Sequence, residues 1–273
     1  MRQRLTLAIV CIASGLSPRT ATAQSSGVLL EGRDLALLAG ATAASAALLT
    51  IDARVSNFLS DSLFHARHPG FKIASSRASL STETVLMIAG GTVWGIARLN
   101  DDRGTADVAF HTTEAIASTA MVIQVVRGIL GRGRPYLRDD GEVRSDPGRF
   151  KLLRGFTSYD YRSYPSMHAM ASFAAASALA QEMRLRDTPH RRVIAPALYA
   201  AAVMPSMARM YLNEHWTSDI AMGVFLGVFA GQKAVLYSHS HPDNPVDRRF
   251  LKPAVRAMFT HDARGLSFSI LPY

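Results

Sequence analysis

From Leu35 to Ile51 the chain carries no charged residue, and Asp34 and Asp52 bound the run. A stretch of this kind, rich in alanine and leucine, is expected to form a helix. The pattern recurs. Val85–Ala97, Ala106–Leu130, Met167–Met183, Val193–Leu212 and Ile220–Tyr237 are predominantly apolar or small-residue stretches, separated by polar connections marked by Gly and Pro. Val55, Phe58, Leu59 and Leu63 follow helical spacing on a polar background and predict a separate amphipathic helix. The expected fold class is all-α: a helical bundle of about six principal helices around one core. Leu266-Ser267-Phe268-Ser269-Ile270 alternates in polarity, so a short strand-like C-terminal tail is expected beside it.

The first residues read as a secretory signal peptide. Met1-Arg2-Gln3-Arg4 is a basic start, Leu5–Ala13 a short apolar run and Ala21-Thr22-Ala23 a small-residue cleavage site. The expected organisation is a signal peptide over 1–23, N-terminal bundle helices over 24–105, a catalytic helical core over 106–237 and a tail over 238–273. The only cysteine, Cys11, falls in the signal segment. A processed chain then has no disulfide, no thiol nucleophile and no thiolate metal site. The formal charge of +9 favours anionic partners without choosing among them.

Three short clusters in the second half carry chemistry. In the first, Arg127 ends a helix and Arg134 follows it in the loop, before Pro135. Two guanidiniums held close repel unless an anion sits between them, and their planar forks match phosphate oxygens. In the second, Pro165-Ser166-Met167-His168 opens an apolar helix. Ser166 is a natural N-cap, and a helix start offers free N–H groups to an anion. In the third, Arg209 precedes His215 and Asp219, which stand four apart and share one helix face. A carboxylate so placed fixes the imidazole tautomer and leaves the other ring nitrogen free to attack. Taken singly, each cluster is equally well served by a solvated or purely structural role.

Together, in this order and spacing, the clusters resemble the signature of the type 2 phosphatidic acid phosphatase/vanadium haloperoxidase superfamily. That signature is Lys-x6-Arg-Pro, then Pro-Ser-Gly-His, then Ser-Arg-x5-His-x3-Asp. Three positions depart from it: Arg127 stands for lysine, Met167 for glycine and Ala208 for serine. The Met167 side chain is expected to crowd the pocket. The resemblance implies a phosphatase acting on phosphate monoesters, including lipid phosphates or pyrophosphates, through a phosphohistidine on His215. Asp219 would orient His215, and His168 would serve as general acid and then base. Arg127, Arg134, Ser166, the Met167 N–H and Arg209 would hold the phosphate oxygens. It implies no cofactor and no metal, with vanadate bound only in the haloperoxidase alternative. The implied partners are a phosphorylated small-molecule or lipid substrate and an anionic membrane surface, not nucleic acid. A non-catalytic envelope protein that binds anionic lipid is the remaining alternative.

Other histidines fit blander roles. His65, His68, His239 and His241 lack an acidic or thiolate partner at metal-binding spacing and read as solvated loop residues. His111 and Glu114 read as a buried polar contact within the bundle. The uncharged runs fall short of the roughly 20 residues a membrane span uses. A cleaved leader with all six helices spanning would also turn the Arg134 loop toward the cytoplasm, against the family's usual outward site. The expected location is the cell envelope, periplasmic or secreted in preference to membrane-embedded.

Overall fold

A computed structural model describes residues 31–137 and 146–252, with the backbone of 255–262 and 265–272. The expected signal peptide, 1–23, lies outside the described residues. Nine α-helices are present among them: α1 Gly32–Leu59, α2 Ser62–Arg67, α3 Pro69–Ala78, α4 Glu83–Leu99, α5 Arg103–Leu130, α6 Met167–Leu185, α7 Arg191–Tyr211, α8 Thr217–Ser240 and α9 Pro245–Phe250. The expectation of about six helices with a strand-like tail is therefore corrected. The helical body contains no strand among its described residues, and the strands β1 Val255–Asp262 and β2 Gly265–Pro272 pair antiparallel only with each other. A lone tail strand would leave its backbone groups unpaired, and a hairpin closes that deficit.

Local chemistry sets the helix starts. Thr82 caps α4 by accepting from Val85 N at 3.2 Å, Asp102 caps α5 through Thr105 N at 3.0 Å, and Asn244 caps α9 through Asp247 N at 2.9 Å. Two helices matter most for the site. α8 presents Gly223, Gly227 and Gly231 to α6, and an added Cβ at these positions would overlap Ser166 O, Met170 O and Ser177 Oγ. α8 contributes no side chain at these points, so its backbone approaches α6 closely. Ile116 and Ile123 of α5 pack with Met167, Met170, Ala171 and Ala174 of α6 as the main apolar cluster.

α1 is built inside-out. Its buried residues are Asp34, Ser45, Asp52 and Ser56, while Leu35 is 58% and Phe58 61% exposed. Asp52 does not end the helix, as a charged boundary would. It is fully buried and receives hydrogen bonds from Arg132 Nη2 at 2.8 Å and Ser218 N at 2.9 Å. The separate amphipathic helix expected after Ile51 is thus the second half of α1. Met121, Val122 and Val125 on α5 and Val193 on α7 also face outward.

α1, α5, α7 and α8 are each long and apolar enough to cross a membrane, and α3 with α4, bent by 53°, would form a fifth, broken span. Apolar residues outside and polar residues inside are what a lipid surround stabilises and water does not. The preference for a periplasmic or secreted protein is corrected accordingly: this is a membrane-embedded chain. The first uncharged run is short only because Asp34 and Asp52 bound it, and both are buried within α1 and paired, with Lys233 and Arg132.

Candidate active site

The pocket lies where the start of α6 meets the start of α8. Ser166 caps α6 by accepting from Ala169 N at 3.4 Å, and its own N–H donates to Asp219 O at 3.0 Å. The two helix starts are thereby tied together. The N–H groups of the first α6 turn have no intrahelical acceptor, which makes that turn an anion seat. The Met167 side chain does not crowd it. It is buried in the apolar cluster with Ile116, Ile123 and Met170.

His215 is buried in the turn between α7 and α8, with Nδ1 3.4 Å from Asp219 Oδ2. Asp219 is held from several sides. Its Oδ2 accepts from Trp216 N at 2.9 Å and from Ser163 Oγ, and its Oδ1 accepts from Arg132 Nη1. So fixed, the carboxylate keeps one face of the imidazole oriented. Burial drives the His215 proton affinity well below the ordinary histidine range. The bond to Asp219 opposes that drop, and the charges of Arg134 and Arg127 reinforce it. A neutral imidazole with Nδ1 toward Asp219 keeps a lone pair on Nε2, the form a nucleophile needs.

His168 sits in the first turn of α6, its Nε2 3.1 Å from the Ser79 carbonyl oxygen in the α3–α4 connection. A carbonyl can only accept, so Nε2 carries the hydrogen. Burial first, then the charge of Arg209, then Arg127 and Arg134, push His168 down to about 4. The Ser79 contact works against this. The charges of all three arginines named from the sequence act on His168, and those of Arg134 and Arg127 also on His215.

Each arginine is anchored. Arg127 donates Nε to Arg162 O at 2.7 Å. Arg134 donates Nη1 to Glu214 O at 2.9 Å and to Glu214 Oε2 at 2.7 Å, and lies over the Tyr159 ring at 4.1 Å. Arg209 Nη2 meets Glu214 Oε2 at 2.9 Å, and its Nε is buried without a hydrogen bond.

Four contributors were not singled out from the sequence: Arg132, Asp52, Ser163 and Glu214. Arg132 is fully buried, links Asp52 to Asp219 and stacks against Phe150, Tyr164 and Trp216. The one available signal was its position two residues before Arg134.

His111, Glu182 and His239 form a second cluster, with ligand-capable atoms within 4.8 Å of one another. His111 Nδ1 lies 2.6 Å from Glu182 Oε1, and His239 Nε2 lies 3.1 Å from the same carboxylate. His239 is therefore not a solvated loop residue: it stands in the last turn of α8. His65 is not free either, since its ring stacks on Tyr211 at 4.3 Å. At about 1.5 Å per residue, the second cluster lies roughly 20–30 Å along α5, α6 and α8 from Arg127, His168 and Asp219. It belongs to the opposite end of the bundle and does not touch the pocket.

Comparison with known proteins agrees with this geometry. Residues 109–242 match the model of the PAP2 superfamily, an interval that contains all eight site residues named from the sequence. The fold is similar to the crystal structure described as the first transmembrane PAP2 type phosphatidylglycerolphosphate phosphatase from Bacillus subtilis. The TM-score is 0.51 at 16% identity, over 76% of this chain and 96% of that one. No curated protein matches in sequence.

Proposed function

The chain belongs to the PAP2 superfamily and is a phosphatase of that type, and from this premise we propose that His215, His168 and Asp219 carry the hydrolysis of a phosphate monoester. The observation that carries this reading is the hydrogen bond from Ser166 N to Asp219 O, which sets the helix start bearing His168 against the His215–Asp219 pair, with Arg134 and Arg209 meeting at Glu214 beside His215. In the first step His215 Nε2 bonds to phosphorus as the ester oxygen leaves, taking a proton from His168. In the second, water gives a proton to His168 and attacks phosphorus, breaking the N–P bond and releasing phosphate. Arg127, Arg134 and Arg209, with the N–H groups at Ser166–Met167, would hold the equatorial oxygens where charge accumulates. Asp219 would stabilise the positive charge His215 acquires.

His168 starts neutral, and the substrate itself supplies its proton affinity. A phosphate dianion among the arginines offsets the positive field that depresses His168. Binding and protonation are then coupled.

The substrate is phosphorylated and is handled near a membrane surface. A lipid phosphate is the finer reading. Phe71, Ile73 and Leu80 are exposed on and just after α3, which also carries Lys72. Ser79 from the same connection contacts His168. An apolar, basic approach next to the general acid suits an amphiphile whose headgroup enters and whose chains stay in the bilayer. The phosphatase named from Bacillus subtilis, which acts on a phospholipid phosphate, supports the same class. On this reading the catalytic unit spans 106–237, with 24–105 as approach helices and 238–273 as a tail.

The test is hydrolysis by detergent-purified protein, screened against soluble and lipid phosphates, with His215→Ala as control. Loss of turnover in a folded variant is the expected result. Turnover that survives the substitution ends the phosphohistidine reading.

A further inference from the structure

We propose that Glu214 is a displaceable internal occupant of the phosphate site, and that it makes the pocket selective for terminal, doubly charged phosphate. The inference rests on the assignment of Arg134 and Arg209 as phosphate holders. One carboxylate oxygen, Glu214 Oε2, takes Arg134 Nη1 at 2.7 Å and Arg209 Nη2 at 2.9 Å. A carboxylate oxygen shared by two guanidiniums stands where a phosphate oxygen held by both would stand. The same Nη donors cannot serve Glu214 and a substrate oxygen at full strength together.

The members of this triangle differ in freedom. The Arg134 side chain is 1% and that of Arg209 9% exposed, while that of Glu214 is 25% exposed. Arg134 is further fixed by the Tyr159 ring and by the Glu214 backbone carbonyl. The Glu214 carboxylate is thus the part that can swing out while the arginines stay. Its residue directly precedes His215, so a departing carboxylate leaves the nucleophile's own turn open. Arg209 Nε is a buried donor with no hydrogen bond, a further point of attachment for an incoming oxygen.

Occupancy by Glu214 has two consequences. It offsets the repulsion of two buried guanidiniums in the unliganded pocket, so the arginines stay preorganised. It also obliges any ligand to outcompete a carboxylate. A phosphomonoester dianion brings more charge to that exchange than a diester monoanion, so discrimination between the two increases.

The experiment uses full-length protein in detergent, with inorganic phosphate as the probe and turnover of a soluble monoester and diester alongside. For Glu214→Gln the phosphate Kd is expected to tighten by about tenfold. The monoester KM should fall in parallel and the monoester/diester ratio of kcat/KM should narrow. A folded Glu214→Gln variant whose phosphate Kd is unchanged or weaker overturns the proposal and leaves Glu214 as a prop for the arginines. If Glu214→Gln does not melt cooperatively, Glu214→Asp is measured instead. Its shorter side chain loses the bridge but keeps the charge, so a tighter phosphate Kd is again expected, and an unchanged or weaker one overturns the proposal. The two assignments fail differently. Wild-type protein that binds phosphate but hydrolyses no ester removes the phosphatase reading, while the Glu214→Gln shift in Kd still decides the role of Glu214. Wild-type protein that neither binds phosphate nor gains binding in Glu214→Gln removes both.

Discussion

The two ends of the bundle share three helices, α5, α6 and α8, with α7 added at one end and α9 at the other, and they do opposite things with buried charge. At the pocket end Arg127, Arg134 and Arg209 crowd around two histidines, and Glu214 answers them only in part. At the far end the buried acids Glu182 and Asp247 meet His111, Arg186 and His239, so charges of both signs face one another, although Glu114 Oε2 on α5 is buried without a hydrogen bond. The first arrangement leaves a positive surplus that an incoming anion relieves. The second sets acids against bases and fastens α5 to α6, α8 and α9. Buried charge is therefore no mark of chemistry on its own: its balance is.

Substitutions at the two ends should separate cleanly. His215→Ala should cut turnover by up to about 10^6-fold, by the measure of other covalent catalytic groups, and His111→Ala should leave turnover within about twofold. Comparable losses in both variants would break the distinction between the ends. Asp219→Asn should lower kcat by up to about 10^4-fold with substrate binding retained, because the imidazole loses its orienting acceptor. Single-turnover kinetics would read this, and an unchanged rate removes Asp219 from its role.

Arg132→Ala should destabilise the fold by about 3–5 kcal/mol, since it strands Asp52 and Asp219 as unpaired buried charges. Glu182→Gln at the far end should cost less, about 1–3 kcal/mol, with turnover preserved. Denaturation in detergent ranks the two, and the reverse order would contradict the charge balance drawn here. The smallest expected effect concerns pH. His168 is depressed to about 4 in the unliganded pocket. A bound anion raises it, so the complex holds a proton that the free protein lacks. Affinity for sulfate, which stays a dianion throughout, should rise as pH falls from 7 toward 5, by at most about tenfold per pH unit. A flat profile would separate His168 from the anion.

What the sequence made legible follows from distance along the chain. Arg127, Arg134, Ser166, Met167, His168, Arg209, His215 and Asp219 could be proposed from the sequence because three short clusters, none telling alone, stand in an order and spacing that resemble one signature. Arg132 and Asp52 could not. Their partnership joins residues 80 apart, and neither member has a local pattern that names the other. That one hidden pair also explains why the first apolar run reads as too short for a membrane span. Asp52 looked like the end of an apolar run, whereas its charge is cancelled by Arg132 and α1 continues through it to Leu59. Ser163 and Glu214 were missed for a related reason, since their roles exist only once the loops close over Asp219 and between two arginines.

The contact between α6 and α8 has a consequence for how such a pocket tolerates change. Gly223, Gly227 and Gly231 act as a ruler made of absences: on the α8 side, the spacing between the histidine on one rod and that at the foot of the other is set by hydrogen atoms alone. A single methyl inserted deep in this seam would work as a wedge, prising the two rings apart from well outside their reach. Inheritance should therefore be strictest where the chain shows least, at positions that touch no phosphate and bear no functional group.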